Sequence, residues 1–183
     1  MKLINKIIKM KMIITGPPRC GKSTLISKLI DYYRKKNYTI YGFLTPEVRI
    51  RGTRIGFDIE DIYSGGKAIL ARTGNYQTQY KVGKYKVFIK EFELMLSNLK
   101  INLEEEKALV FIDEIGKMEL YSKKFQTLLK NLFTSKLSII STIGLKLTHY
   151  IKDYIINLPD VRLFHLSRQN FNKKYEEIIN LMS

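Results

Sequence analysis

An eight-residue segment near the amino terminus has the spacing of a phosphate-binding loop. Residues 16–23 read GPPRCGKS, which fits the pattern G-x-x-x-x-G-K-S/T. Backbone N–H groups in such a loop, and in the first turn of the helix after it, point at a phosphate chain that carries dense negative charge. The glycines permit this close approach. We expect Lys22 to reach the β- and γ-phosphates and Ser23 to offer its hydroxyl to Mg²⁺.

The loop contains the only cysteine of the chain, Cys20. A single thiol forms no internal disulfide, so a reducing compartment, the cytoplasm, is expected. Cys20 is either a small residue that fits the loop, or its thiol is activated by the helix N-terminus and the nearby cations. The residues assigned to nucleotide binding in this part of the chain are Gly16, Pro17, Pro18, Arg19, Cys20, Gly21, Lys22, Ser23 and Thr24.

Two acidic residues follow a buried strand pattern about midway along the chain. Residues 108–112 read ALVFI and are followed by Asp113 and Glu114. In a parallel sheet the carboxyl end of a strand faces the ligand crevice. We expect Asp113, together with Ser23, to hold Mg²⁺, and Glu114 to orient or deprotonate a water molecule that attacks the γ-phosphate. Lys22 and Glu114 are therefore the candidate catalytic residues.

Strand and helix patterns alternate around these two motifs. Residues 11–15 form a short apolar run, and residues 22–34 place apolar side chains at helical spacing. Apolar runs at 108–112 and 137–143 predict central strands, and residues 171–182 predict a terminal helix. This alternation predicts an α/β fold with a mainly parallel sheet flanked by helices.

The middle of the chain has a different pattern. Residues 46–72 read as short strands separated by turns, which predicts an antiparallel meander inserted into the α/β chain. Residues 73–86 are polar and rich in tyrosine, and we predict a loop there. Arg49 and Arg54 flank the first turn of the meander, where they are either contacts to substrate or transition state, or part of a solvated turn.

The chain is strongly basic, with 32 lysines and arginines against 17 acidic residues and a formal charge of +15. This charge is typical either of a solvated lysine-rich surface or of a protein with a polyanionic partner. No apolar run approaches the roughly 18 residues of a membrane span, and lysines interrupt residues 1–9, so neither a membrane segment nor a signal peptide is expected.

Four segments, read in order, resemble one family. GPPRCGKSTL, GFLTPEVRIRGTRIGFDI, SGGKAILAR and ALVFIDEIGKMEL are similar to the THEP-type P-loop nucleoside-triphosphatases, also called cancer-related nucleoside-triphosphatases. The resemblance implies a RecA-like P-loop NTPase domain over residues 10–183. Residues 1–9 are then an N-terminal extension, or Met10 is the real start. The resemblance also implies Mg²⁺-dependent, slow hydrolysis of several nucleoside triphosphates (ATP, GTP, CTP and UTP). Apart from the resemblance, we expect the chain to act as a monomer.

The resemblance also implies nucleotide contacts in the second motif. Members of the family tend to carry an Asn-Arg pair after a late strand, whereas this chain has Asn170 followed by Phe171, with Arg168 two residues earlier. We therefore add Asn170 to the candidate substrate contacts, together with the two arginines of the meander. The second-motif residues implied to contact nucleotide are Ile112, Asp113, Glu114, Ile115, Gly116 and Lys117.

Two other functions share these features. A nucleotide or nucleoside kinase has the same loop and sheet but passes the phosphoryl group to a bound acceptor. A switch whose binding to RNA or DNA is gated by nucleotide would use the positive charge as its footprint, although no nucleic-acid-binding motif is present. The pair of adjacent acids at 113–114 favours hydrolysis.

Overall fold

A computed structural model describes residues 10–182 of the chain, so the extension predicted at residues 1–9 lies outside the described residues. The elements are β1 (Lys11–Gly16), α1 (Lys22–Lys35), β2 (Thr39–Leu44), β3 (Glu47–Ile50), β4 (Thr53–Asp61), β5 (Lys67–Thr73), β6 (Tyr80–Val82), β7 (Tyr85–Val87), α2 (Ile89–Asn98), β8 (Ala108–Ile115), a 3-10 turn (Glu119–Tyr121), α3 (Lys123–Thr134), β9 (Ser138–Gly144), α4 (Tyr150–Ile156), β10 (Val161–His165) and α5 (Phe171–Met182).

The strands within residues 10–182 form one sheet in the order β10-β1-β9-β8-β2-β4-β5-β7-β6, and β3 pairs with β4. From β10 to β2 every neighbouring pair is parallel. β1, β8 and β9 lie in the interior of this half, which explains their continuous apolar sequences. Their carboxyl ends meet at one edge, where both motifs lie.

Helices cover both faces of the parallel half, as predicted. Alternate residues of β1 show the division, because Met12 and Ile14 belong to the core beneath α1 and α5, whereas Ile13 belongs to the core on the opposite face. That opposite core is covered by α2, α3 and α4 and contains Phe43, Phe92 and Phe125, whose rings meet edge to face at 5.3–5.8 Å.

The meander is longer than the sequence pattern predicts. The predicted strands at 46–72 are present, but β5 runs to Thr73, and the loop predicted at 73–86 is wrong because β6 and β7 form a hairpin there. The hairpin forms because Tyr85 and Val87 are buried, while Gly83 takes a positive φ of 56° at the turn. Since β4 pairs with β2, the meander extends the parallel sheet.

Candidate active site

The phosphate-binding loop requires glycine at both ends, for a steric reason at Gly16 and a conformational reason at Gly21. A Cβ atom at Gly16 would lie 2.3 Å from the Leu166 carbonyl oxygen and 2.8 Å from Cys20 Sγ. Gly21 has φ 102° and ψ 17°, a left-handed conformation that favours glycine. No side chain caps the start of α1 at Gly21, so the first-turn N–H groups are left for an anion.

The side chains of the loop divide between solvent and core. Pro17, Pro18 and Arg19 are exposed, whereas Cys20 is buried among the apolar residues beneath α1 and α5. The thiol lies against the backbone of Gly16, so this position requires a small side chain. Of the two interpretations of Cys20, the structure favours a packing role.

Three elements bring the predicted catalytic and metal-binding residues together. Lys22, the first residue of α1, donates from Nζ to the Gly16 carbonyl oxygen at 3.3 Å. Asp113 of β8 is only 5% exposed and accepts hydrogen bonds from the hydroxyls of Ser23 and Thr142. Burial raises the pKa of Asp113, while these hydrogen bonds and the positive charge of Lys22 oppose the rise.

β8 continues through Ile115, so the two acidic residues lie inside the strand and not after it. This differs from the predicted strand at 108–112. Thr45, which follows β2, donates from Oγ1 to the Asp113 carbonyl oxygen at 2.7 Å and ties the neighbouring strand to this position. The position of Asp113 is therefore fixed from β2 and β9 as well as from β8.

A third carboxyl group lies next to Glu114. A Cβ atom at Gly116 would be 2.6 Å from Glu119 Oε2 and 3.1 Å from Glu114 Oε1, so both carboxyl groups surround this glycine. Burial and repulsion from Asp113 raise the pKa of Glu114, whereas Lys22 lowers it. Burial, followed by repulsion from Glu114, raises the pKa of Glu119 to about 8.

Glu119 is thus a proton-holding neighbour of Glu114 that sequence reasoning did not assign. Hydrogen bonds from the backbone N–H groups of Gly116 and of Glu119 itself lower its pKa only in part. The available signal was its place in the segment IGKMEL, three residues after Gly116. Thr142 had no such signal, because an isolated threonine in a strand has no recognisable spacing to the acidic residues.

The remaining residues of the second motif have different exposures. Ile112, Ile115 and Gly116 are buried, and the two isoleucines are part of the core beneath α2, α3 and α4. Lys117 is exposed and lines a cavity on the carboxyl edge of the sheet. Thr24, in the first turn of α1, is also exposed.

Arg49 and Arg54 are held together on the meander. Arg49 Nη2 lies 2.6 Å from Glu47 Oε2, and Arg54 Nη1 lies 2.5 Å from Glu47 Oε1. Arg54 also donates from Nε to the Tyr85 hydroxyl at 2.8 Å. Burial alone would raise the pKa of Glu47, but the hydrogen bonds from both arginines outweigh it and the pKa is lowered. Both guanidinium groups therefore have partners within the meander.

Asn170 has its amide engaged in the turn before α5. Its Oδ1 accepts from the Ser167 N–H at 2.8 Å, and its Nδ2 donates to the His165 carbonyl oxygen at 2.9 Å. The contact to the phosphate-binding loop comes from Arg168, which donates from Nε to the Arg19 carbonyl oxygen at 3.2 Å. The Phe171 ring lies against Gly21.

This fold and this site define a P-loop nucleotide-binding protein of the α/β class. A family model described as NTPase matches residues 11–179, and the chain belongs to that nucleoside-triphosphatase family. The chain is similar to the nucleoside-triphosphatase THEP1 of Thermotoga sp. (strain RQ2), with 39% identity over 94% of this chain and 95% of the relative. It is also similar to the cancer-related nucleoside-triphosphatase homolog of Mus musculus, with 34% identity over 92% and 94% of the two chains.

Solved structures agree with this assignment. The crystal structure of THEP1 from the hyperthermophile Aquifex aeolicus superposes with a TM-score of 0.81 at 32% identity, covering 95% of this chain and 99% of that one. The solution structure of a human cancer-related nucleoside triphosphatase gives 0.77 at 31% identity, covering 93% and 96%. The predicted family and the predicted α/β P-loop fold are confirmed. Helices within residues 10–182 all fall short of the length and apolar character that a bilayer crossing needs.

Proposed function

We propose that this nucleoside-triphosphatase hydrolyses ATP, GTP, CTP and UTP to the diphosphate and phosphate, with Mg²⁺ and with slow turnover. The observation that carries the proposal is the meeting of Lys22, Ser23, Asp113 and Glu114 at the carboxyl edge of the sheet. Amides of the loop and the Lys22 ammonium bind the phosphates, which are common to all four substrates. Because the protein recognises the phosphate chain, we expect it to accept nucleotides with a broad range of bases.

The oxygen atoms at the loop suit Mg²⁺. The Ser23 hydroxyl and the Asp113 carboxylate already share a hydrogen bond, and both are hard oxygen donors. No group of three or more His, Cys, Asp or Glu side chains within residues 10–182 could hold a metal alone. This fits a cation that takes one or two protein ligands and completes its shell with substrate phosphates. When bound, Mg²⁺ neutralises charge that develops on the phosphate oxygens.

Glu114 is the residue that acts on water. Its carboxyl group is close enough to Asp113 and to Lys22 for both charges to act on it, which supports a role near the terminal phosphate. Its raised pKa makes it a stronger base than an exposed glutamate. Glu119 holds a proton beside it and so adds no second negative charge below about pH 8.

The slow turnover in this proposal rests on how the arginine side chains are engaged. Charge in the transition state of phosphoryl transfer is commonly stabilised by an arginine, which increases kcat by about 10³-fold or more. Arg49 and Arg54 both have Glu47 as partner, and Arg168 contacts the loop backbone at Arg19. We therefore expect the four nucleotides to be hydrolysed without any of these three arginines acting on the γ-phosphate. In this proposal the chain acts as a monomer, because one chain supplies every group.

Phosphate release from each of the four nucleotides, with Mg²⁺ and then with EDTA, tests the proposal. The Lys22→Ala variant is compared with Lys35→Ala, which removes an exposed lysine at the far end of the same helix. We expect all four nucleotides to be hydrolysed by the wild type and by Lys35→Ala, and by neither EDTA-treated protein nor Lys22→Ala. Phosphate transfer only when an acceptor is added would overturn the proposal in favour of a kinase. Release only when an oligonucleotide is added would overturn it in favour of a gated switch.

A further inference from the structure

A cavity of about 370 Å³ lies at the carboxyl edge of the sheet, outside the phosphate-binding loop. Its walls come from the segment after β8, the start of α3 and the segment between β9 and α4. Its volume is at the lower end of the range of about 300–1,000 Å³ that is usual for small-molecule sites. Of the residues that line it, only Lys117 was assigned above to nucleotide binding.

The polar part of the cavity wall is cationic. Lys117 and Lys123 both line it, and no acidic side chain does. Neither lysine takes part in any of the ion pairs formed within residues 10–182. Both lysines are exposed, and two neighbouring ammonium groups without a carboxylate partner attract an anion.

His149 adds a neutral donor to the same wall. Its Nδ1 accepts the Ile151 N–H at 3.2 Å, which places the proton of the neutral ring on Nε2. Burial, followed by the positive charge of Lys123, lowers the pKa of His149 and keeps the ring neutral at pH 7. The residues that line the cavity therefore include two cations and one imidazole with a free N–H group.

The apolar part of the wall is fixed in place. Leu120 and Leu147 line the cavity and are 4% and 6% exposed. Gln126, also in the wall, is buried and hydrogen-bonded at both amide atoms, with Nε2 donating to the Leu120 carbonyl oxygen at 2.7 Å and Oε1 accepting from the Tyr150 hydroxyl at 2.5 Å. A floor anchored in this way is preorganised to receive an apolar group.

We propose that this cavity binds a small phosphate monoester with an aromatic or apolar body. The dianionic phosphate meets Lys117 and Lys123, and His149 donates to one of its oxygen atoms. The body lies on Leu120 and Leu147. Two cations and a donor match the charge and the acceptor oxygens of a phosphate monoester better than those of a carboxylate, which carries one charge.

Phenyl phosphate is the probe that tests this site, followed by NMR of the full chain labelled in its leucine methyl groups. The Leu120 and Leu147 methyls report on the cavity, whereas the Leu25 methyls report on the core beneath the phosphate-binding loop. We expect shifts at Leu120 and Leu147 that saturate with phenyl phosphate, and weaker binding of phenol and inorganic phosphate. This readout does not depend on hydrolysis, so it stands even if the proposed function fails.

Two neighbouring lysines provide the matched variants. Lys123→Glu reverses a charge in the wall and should weaken phenyl phosphate binding by about tenfold or more. Lys124→Glu makes the same change at a residue outside the wall, whose ammonium donates to Ser97 Oγ, and should change affinity by less than about twofold. Shifts confined to Leu25, equal weakening in both variants, or benzoate binding as tightly as phenyl phosphate would each overturn the proposal.

Discussion

The parallel half of the sheet and the antiparallel meander arrange their charged side chains in different ways. In the parallel half, groups from three elements converge on Asp113, which is buried and bonded to Ser23 and Thr142. In the meander, charged groups pair locally, Arg49 and Arg54 with Glu47 and Arg72 with Asp58. Parallel strands send their carboxyl ends to one edge, whereas a meander places neighbours in sequence opposite each other. Chemistry is therefore expected in the first region and local stability in the second.

Glu114→Gln is the strongest test of the parallel half. The amide keeps the shape of the side chain but cannot accept a proton, so kcat should fall by about 10²–10⁴-fold. Nucleotide affinity should be retained, because the loop amides and Lys22 are unchanged. Glu91→Gln, an exposed change on α2, is the control in a steady-state phosphate-release assay. A variant that keeps more than a tenth of wild-type kcat would remove Glu114 from catalysis.

Thr142→Val tests the support of Asp113 from β9. The valine keeps the volume but removes the hydroxyl that donates to the carboxylate, and loss of such a supporting partner typically reduces activity or metal affinity by about 10–100-fold. Ser141→Ala is a close control, because the adjacent hydroxyl is buried and finds no hydrogen-bond partner within residues 10–182. Activity measured against Mg²⁺ concentration should change for Thr142→Val alone, and equal losses in both variants would point to general packing damage.

Glu119→Gln should change how stability depends on pH. The folded chain holds a proton on Glu119 up to about pH 8, whereas the unfolded chain releases it near the ordinary value of 4.5. The free energy of unfolding therefore falls as pH rises through this window, by roughly 1.4 kcal/mol for each unit between the two pKa values. The variant lacks this loss and should gain stability over the wild type from pH 5 to pH 8. Urea unfolding at several pH values checks this, and parallel curves for the two proteins would contradict it.

Arg168→Ala removes the contact from the turn before α5 to the phosphate-binding loop. Loss of one hydrogen bond to the Arg19 carbonyl, at about 1 kcal/mol, should weaken nucleotide binding by roughly fivefold. Arg162→Ala on β10, also an exposed arginine, should leave the dissociation constant unchanged. Calorimetric titration with ADP distinguishes the two, and identical constants for wild type and Arg168→Ala would show that the contact does not shape the loop.

Arg54→Ala has the smallest expected effect on catalysis and tests the meander directly. Its bonds to Glu47 and Tyr85 are local and partly exposed, so the free energy of unfolding should fall by about 1 kcal/mol or less, with kcat within about twofold of the wild type. An arginine that reached the γ-phosphate would instead lower kcat by about 10³-fold when removed. Such a loss would erase the distinction between the two regions.

The difference between the regions also explains what the sequence could predict. The loop at residues 16–23 and the acids at 113–114 were recognisable because their chemistry lies within one short segment that follows an apolar strand. Thr142 acts across 29 residues of sequence, and only the pairing of β8 with β9 brings it to Asp113. The burial of Glu119 depends in the same way on how the segment after β8 folds back.

The hairpin of β6 and β7 was missed for a different reason. Its strands have three residues each, too few for alternation to stand out among polar neighbours, and the burial of Tyr85 comes from packing against Phe57 at a ring distance of 5.3 Å. The arginines of the meander show the same limit. Their types and spacing suit a substrate contact and a local ion pair equally well. Only the position of Glu47 in the structure shows that they form local ion pairs.

The buried Cys20 gives the phosphate-binding loop its own reporter. Because it is the chain's only cysteine and its side chain is buried, we expect a thiol reagent to reach it only when the loop opens. The rate of labelling then measures the free energy of that local opening, separately from global unfolding. A ligand that binds the closed loop must slow the reaction in proportion to its occupancy. Labelling kinetics on the unmodified chain can thus rank nucleotides by affinity without any hydrolysis.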